Sequence, residues 1–381
     1  VGGSGSNYRD ATTGAGGSRD SLGARTIPTA ATTATASLQS IGDRPQALLT
    51  VHALLTHALV SASAIALALL AANADHARAL AQVPALSEPR ESKGPAPLDA
   101  ITTILDAFRT HPVVGLDEVH ADEGSHAFRL SLIRDPRFPI LVNDILVEFG
   151  NSRYQDLMDR FIRGEPVADE DLKKVWQNTT LAHTIWDRPI YEDFYRAVRA
   201  INASLPPERR LRVLLGDPPF DWDAVRTPDD LQSRSFARSK HPADIVVREV
   251  IAKQRRALVI YGALHLWKQG LQGPNLIEHL EKDGGIKTFV VLTHPHASLD
   301  ALRANHESWP VPSIALTRGS SVENQMDAIL YIGPLSSRRK SQLSPAVCSD
   351  AAYREMRTRR MVLAGDPKAE EQLTNECAAV R

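Results

Sequence analysis

Five apolar runs in this chain each stop on an ionisable residue, and helical stretches separate them. Few folds accommodate that pattern. Val113-Val114-Gly115-Leu116 leads into Asp117, Glu118 and His120. Asp144 to Val147 runs into Glu148, Leu211 to Gly216 into Asp217, and Ala257 to Leu264 into His265. Thr288 to Thr293 runs into His294 and His296. Short runs that are apolar throughout, rather than alternating, read as strands covered on both faces, as in a parallel sheet. Two weaker strands are expected at Ser313 to Leu316 and Ala328 to Ile332.

The intervening stretches carry helical spacing. Ile101, Ile104, Leu105 and Phe108 mark a helix over Ala100 to Thr110, and Phe128, Leu130 and Leu132 one over Ser125 to Arg134. Pro242 to Gln254 and Leu276 to Lys282 are expected to be helical as well. Between the strands at Ile145 and Leu211 lie three helical stretches in series, ending near Gly164, Asp187 and Leu205. That exceeds one crossover. The expected fold is α/β: a mostly parallel central sheet, helices on both faces, and a helical insertion between the second and third of the five strands.

Side chains alternate across a strand with period two, so Glu118 and His120 point the same way. Ligands of open α/β sheets bind beyond the carboxyl ends of the strands. The five strand ends therefore bring His120, Glu118, Glu148, His265 and Asp217 to one edge, with His294 and His296 at the fifth end. Such a group can hold a water for general-base attack, or a divalent metal on His120, His265 and Glu148. Arg153 could hold an anionic substrate group. His126 and Arg129, at the start of a helix, could stand behind His120 or meet substrate, or form a solvated first turn with Glu123. Asp217-Pro218-Pro219 is also a turn signal, and Asp221 and Asp223 could line the same mouth or face solvent. His294 and His296, either side of Pro295, could bind metal or simply make a turn. There is no G-x-S-x-G elbow, no H-E-x-x-H helix and no Walker A loop, which argues against those chemistries.

A net charge of -1 gives no general attraction for nucleic acid, so the expected partner is a small-molecule or peptide substrate. Residues 1–46 are low in complexity and are expected to be disordered. Residues 47–81 resemble a signal peptide: Arg44 precedes the apolar stretch Ala58 to Ala72, and Ala79-Leu80-Ala81 offers a small-x-small cleavage site. A secreted or periplasmic location follows, with contact to a membrane only through an uncleaved leader. Residues 82–97 read as a linker, 98–334 as the core, and 335–381 as a C-terminal helical tail. The tail holds both cysteines, Cys348 and Cys377, which would pair if the chain is exported.

Gly115-Leu116-Asp117-Glu118-Val119-His120 resembles the G-E-x-H motif of the erythromycin-esterase-like proteins and of the related ChaN haem-binding and TraB/Tiki groups. Val147-Glu148-Phe149-Gly150 is similar to their second motif, and Gly262-Ala263-Leu264-His265 to their G-x-x-H element. Where that superfamily often has glycine, this chain has Asp117 and Ala121, whose side chains would narrow the approach to Glu118 and His120. In the esterase branch the resemblance implies a metal-free attack, with His120 deprotonating water and Glu118 orienting it. In the Tiki branch it implies a divalent metal on His120, His265 and a glutamate. In the ChaN branch it implies haem binding without hydrolysis.

Overall fold

Residues 94–232, 238–270 and 273–380 are described by the computed structural model. The low-complexity segment, the leader-like segment and most of the linker lie outside the described residues. Among the described residues no helix is long and apolar enough to cross a membrane.

The strands are β1 (Leu98–Asp99), β2 (Val113–Asp117), β3 (Asp144–Asn151), β4 (Arg212–Asp217), β5 (Ala257–Tyr261), β6 (Thr288–Thr293), β7 (Ser313–Leu316) and β8 (Ala328–Tyr331). They form one eight-stranded sheet in the order β1-β7-β8-β6-β2-β5-β3-β4. From β8 to β4 every neighbouring pair is parallel, while β7 pairs antiparallel with β8 and with β1. The sheet is thus mixed but mostly parallel. β2 sits at its centre, and the carboxyl ends of β3, β5 and β6 flank it.

Alternation divides the strand residues between two apolar layers. Val114, Leu116, Ile145 and Val147 face a layer with Ile104, Leu132, Phe161 and Tyr195. Val113, Leu146, Val259 and Tyr261 face the other, with Val250, Leu266, Leu276 and Leu280. Helices therefore cover both faces, which is why these runs are apolar throughout. α1 (Ala100–Ala107), α2 (Glu123–Arg134), α3 (Gln155–Ile162) and α4 (Pro189–Ala203) lie on the first side. α5 (Lys240–Ile245), the short α6 (Ala263–Leu266) and α7 (Leu276–Glu278) lie on the second.

Three expected elements differ. The run ending at His265 is a strand only to Tyr261; His265 stands on α6. Gly262 makes the break, since its N–H donates to the Glu148 carboxylate (2.8 Å) rather than continuing the ladder. The expected helix through Asp187 is interrupted after Gln177. Backbone groups there serve side chains instead: Thr180 N donates to Asp217, and Thr179 O accepts from the Trp222 indole. The stretch to Gln254 begins as α5 and loosens into a π turn, Val246–Val250.

The C-terminal helices pack on the core: Arg357 and Arg360 donate to Gln177 O, and Tyr353 to Asp187. α8 (Pro345–Ser349), α9 (Ala351–Leu363) and α10 (Ala369–Ala378) close around the Cys348–Cys377 disulfide. The bridge spans 29 residues, for which chain entropy gives a stabilisation of about 3 kcal/mol. Urea titration of the reduced protein should show a loss of that order. An unchanged midpoint would mean that the tail contributes nothing to cooperative unfolding.

Candidate active site

β2 leaves the sheet at Asp117, and Glu118 N donates to Tyr261 O (2.8 Å), which keeps the exit beside β5. The Glu118 carboxylate is fully buried. One of its oxygens accepts from the Tyr191 hydroxyl (3.0 Å) and the Arg129 guanidinium (3.3 Å). The other is bonded to Nδ1 of His120. Tyr191 is itself held, accepting from the Ala121 N–H at 2.8 Å. Ala121 takes a left-handed conformation, φ 61°, that ordinarily favours glycine; this turn carries the chain away and leaves the imidazole at the opening. With its N–H on Nδ1 given to Glu118, His120 keeps Nε2 as a free acceptor. The Trp186 ring meets His120 edge-on, 4.8 Å between centroids.

Glu148, within β3 where its pairing with β4 is interrupted after Val147, is the site's second buried carboxylate. Besides Gly262 N–H it accepts from Arg238 (2.9 Å), and His265 Nε2 stands 3.5 Å away. Nδ1 of His265 faces the Ser239 hydroxyl at 3.4 Å. A Cβ on Gly262 would lie 3.2 Å from His120 Cε1 and 3.3 Å from Glu148 Oε2, so glycine is what lets the two pairs approach. A third pair comes from β6: Asp117 accepts from Thr293 N (3.1 Å) and is bonded to His296 Nδ1 (2.7 Å).

These groups wall one cavity of about 490 Å³, with Leu181, Ile185, Leu264 and Trp267 forming an apolar side and Lys340 at the rim. Burial depresses the His120 imidazole, but the bond to Glu118 and the charges of Glu118, Glu148 and Asp117 outweigh it and push the pKa up. Burial alone would raise Glu148; the His265 bond and the positive charges of His265, Arg238 and His120 instead hold it well below the usual carboxylate range. Burial pushes Asp217 up to about 7 against the charge of Arg238 and the bonds from Thr180.

Of the residues expected at this edge, Glu118, His120, Glu148 and His265 converge on the cavity. Asp217 is buried behind it, bonded to Thr180 and 3.9 Å from Arg238. Arg129 is 1% exposed and grips Glu118 from the protein side, away from any substrate. His126 is buried on α2 outside the cavity lining, and burial with the charges of Arg129 and Arg134 lowers its pKa to about 4. Arg153 pairs with Asp221 at the surface (2.8 Å), outside the lining. Asp117 does not narrow the approach: it turns to the end of β6. His294 packs on His306 and Tyr331, apart from His296. Among the described residues no group of three His, Cys, Asp or Glu is placed to hold a metal ion. The expected trio of His120, His265 and Glu148 has its carboxylate taken up by Gly262 and Arg238.

Tyr191 and Arg238 were not legible as parts of the site, nor was the pairing of His296 with Asp117. Tyr191 reads as one more apolar-face residue of α4. Arg238 stands in a polar stretch with no periodicity. His296 was visible, but its carboxylate partner lies 179 positions earlier.

No family model and no curated protein matches the chain. Several solved structures are similar at low identity. A succinoglycan biosynthesis protein aligns at 9% identity and a TM-score of 0.45, covering 63% of this chain and 94% of that one. A mutant of the erythromycin esterase EreC, in its open conformation, aligns at 10% and 0.44, covering 64% and 94%. The haem-binding ChaN of Campylobacter jejuni aligns at 12% and 0.37, covering 61% and 91%. Likenesses at this level carry no argument about chemistry.

Proposed function

We propose that the chain is a hydrolase that directs water onto the carbonyl of an ester, lactone or amide. The observation that carries this reading is the His120–Glu118 pair: a buried carboxylate, fixed by Tyr191 and Arg129, holds one imidazole nitrogen and leaves the other open to the cavity. Nε2 of His120 takes a proton from water as its oxygen bonds to the carbonyl carbon. Glu118 stabilises the imidazolium that forms, the orienting role of a carboxylate behind a catalytic histidine. Arg238, held by Glu148 at the cavity wall, supplies positive charge for the developing oxyanion. The apolar side around Ile185, Leu264 and Trp267 suits a substrate with an apolar portion, and Leu181 and Ile185 bring the stretch between β3 and β4 to its wall. A small-molecule or peptide substrate fits this cavity.

Export to an oxidising compartment belongs to the same proposal, supported by the leader-like segment and by the disulfide.

The pH profile tests the base. His120 must be neutral to accept a proton, so kcat/KM should rise with pH through a midpoint above 6.5. Glu118→Gln removes the charge that favours the imidazolium, so the midpoint should fall while the plateau rate drops. A midpoint that stays put would remove His120 from the role.

A further inference from the structure

Hydrolysis of an ordinary ester needs a proton for the departing oxygen as well as a base for water. His265, the obvious second imidazole, has both nitrogens facing partners, Ser239 and Glu148. His296 does not. Only its Nδ1 is engaged, by Asp117 at 2.7 Å, and the ring lines the same cavity as His120. Asp117 is a strong partner by construction. Its carboxylate is buried, and its second oxygen, Oδ1, has no hydrogen-bond partner. Among the described residues, Thr293 N–H alone shares with His296 the work of compensating it. Burial pushes the Asp117 pKa up, and the bond and charge of His296 oppose it, so carboxylate and imidazole share one proton across the bond and a charged His296 is what compensates the ionised carboxylate.

We propose that His296 is the proton donor to the leaving group, with Asp117 as its positioning residue. The inference rests on the hydrolase reading. The cavity then holds two imidazoles with opposite tasks, each fixed through Nδ1 by a carboxylate from the end of β2. Consecutive residues of an extended chain point to opposite sides: Glu118 takes His120 next to it, and Asp117 takes His296 from the end of β6. Water adds to the carbonyl carbon as His120 Nε2 accepts its proton. The carbon–oxygen bond to the alcohol then breaks, and the departing oxygen takes the proton from His296 Nε2. Acid and alcohol leave, His120 returns its proton to solvent, and His296 regains one from it. The hydrogen bond and charge of Asp117 push the pKa of His296 up against burial and the charge of His120, which favours the protonated form this step uses.

Leaving-group dependence is the test. A nitrophenolate departs without a proton, whereas a simple alkoxide does not. Wild type, His296→Asn and His120→Ala are compared on a nitrophenyl ester and an alkyl ester of the same acid. His296→Asn should lower turnover of the alkyl ester by roughly 10²-fold and leave the nitrophenyl ester nearly unchanged. His120→Ala should lose both. Equal losses on the two esters in His296→Asn, or no loss on either, overturn the proton-donor role while the His120 result upholds hydrolysis. Undiminished turnover of both esters in His120→Ala removes His120 as the base, and no turnover of either ester by wild type overturns the hydrolase reading; each ends this role with it.

Discussion

His120→Ala should lower hydrolysis of a carboxylic ester by roughly 10²–10⁴-fold, the usual contribution of a positioned general base, and should leave the fold intact. The two halves of that expectation have separate grounds. The loss follows from Nε2 being the open acceptor on an imidazole fixed at its other nitrogen. The intact fold follows because the His120 side chain is 41% exposed, so deleting it opens no cavity in the core. Glu118 keeps Arg129 and Tyr191 on one oxygen, and the space the imidazole leaves opens the other oxygen to water from the cavity. Turnover by stopped assay and the urea midpoint, measured on the same preparation, check both. A variant that unfolds early would show His120 to be structural, and one that turns over normally would end the assignment.

The strands were legible because burial on both faces leaves no room for alternation, and a run such as Ile145-Leu146-Val147 has few other homes. The convergence of Glu118, His120, Glu148 and His265 followed from topology alone: parallel strands end on one edge. What lies behind those residues was not legible. Arg129 was open to three readings, behind His120, against substrate or in a solvated first turn; its guanidinium is buried and faces Glu118, because a buried carboxylate must be compensated. Asp117 looked like an obstruction because strand alternation was not followed one residue back. Turned to the opposite side from Glu118, it meets the end of β6 and draws His296 in. Pairings of this kind join residues far apart in sequence, and no local spacing records them.

Arg357→Met should cost about 3–5 kcal/mol, the penalty for leaving a buried charge without its partner. Arg357 and Asp187 are both buried, and the guanidinium bonds Asp187 (2.6 Å), Ala182 O (3.1 Å) and Gln177 O (3.2 Å). Tyr353, also on α9, donates to the same carboxylate. Burial already pushes the Asp187 pKa up, with the charge of Arg357 opposing it. In the variant that opposition is gone, so Asp187 takes a proton more readily folded than unfolded. A group whose folded pKa is raised contributes stability at low pH that disappears as pH climbs through the folded value. The deficit of Arg357→Met should therefore be smaller near pH 5 than near pH 8. Arg357→Met combined with Asp187→Asn, which removes both charges, should recover much of the loss. Activity should follow stability here. Asp187 adjoins Trp186, which packs on His120, and Ile185, which lines the cavity, so freeing this anchor loosens one wall of the site. Urea midpoints across pH, with turnover at each, check the pair. A deficit that does not change with pH, and a double variant no more stable than the single, would mean that Arg357 acts through packing alone and that the C-terminal helices hold the cavity wall by shape rather than by charge.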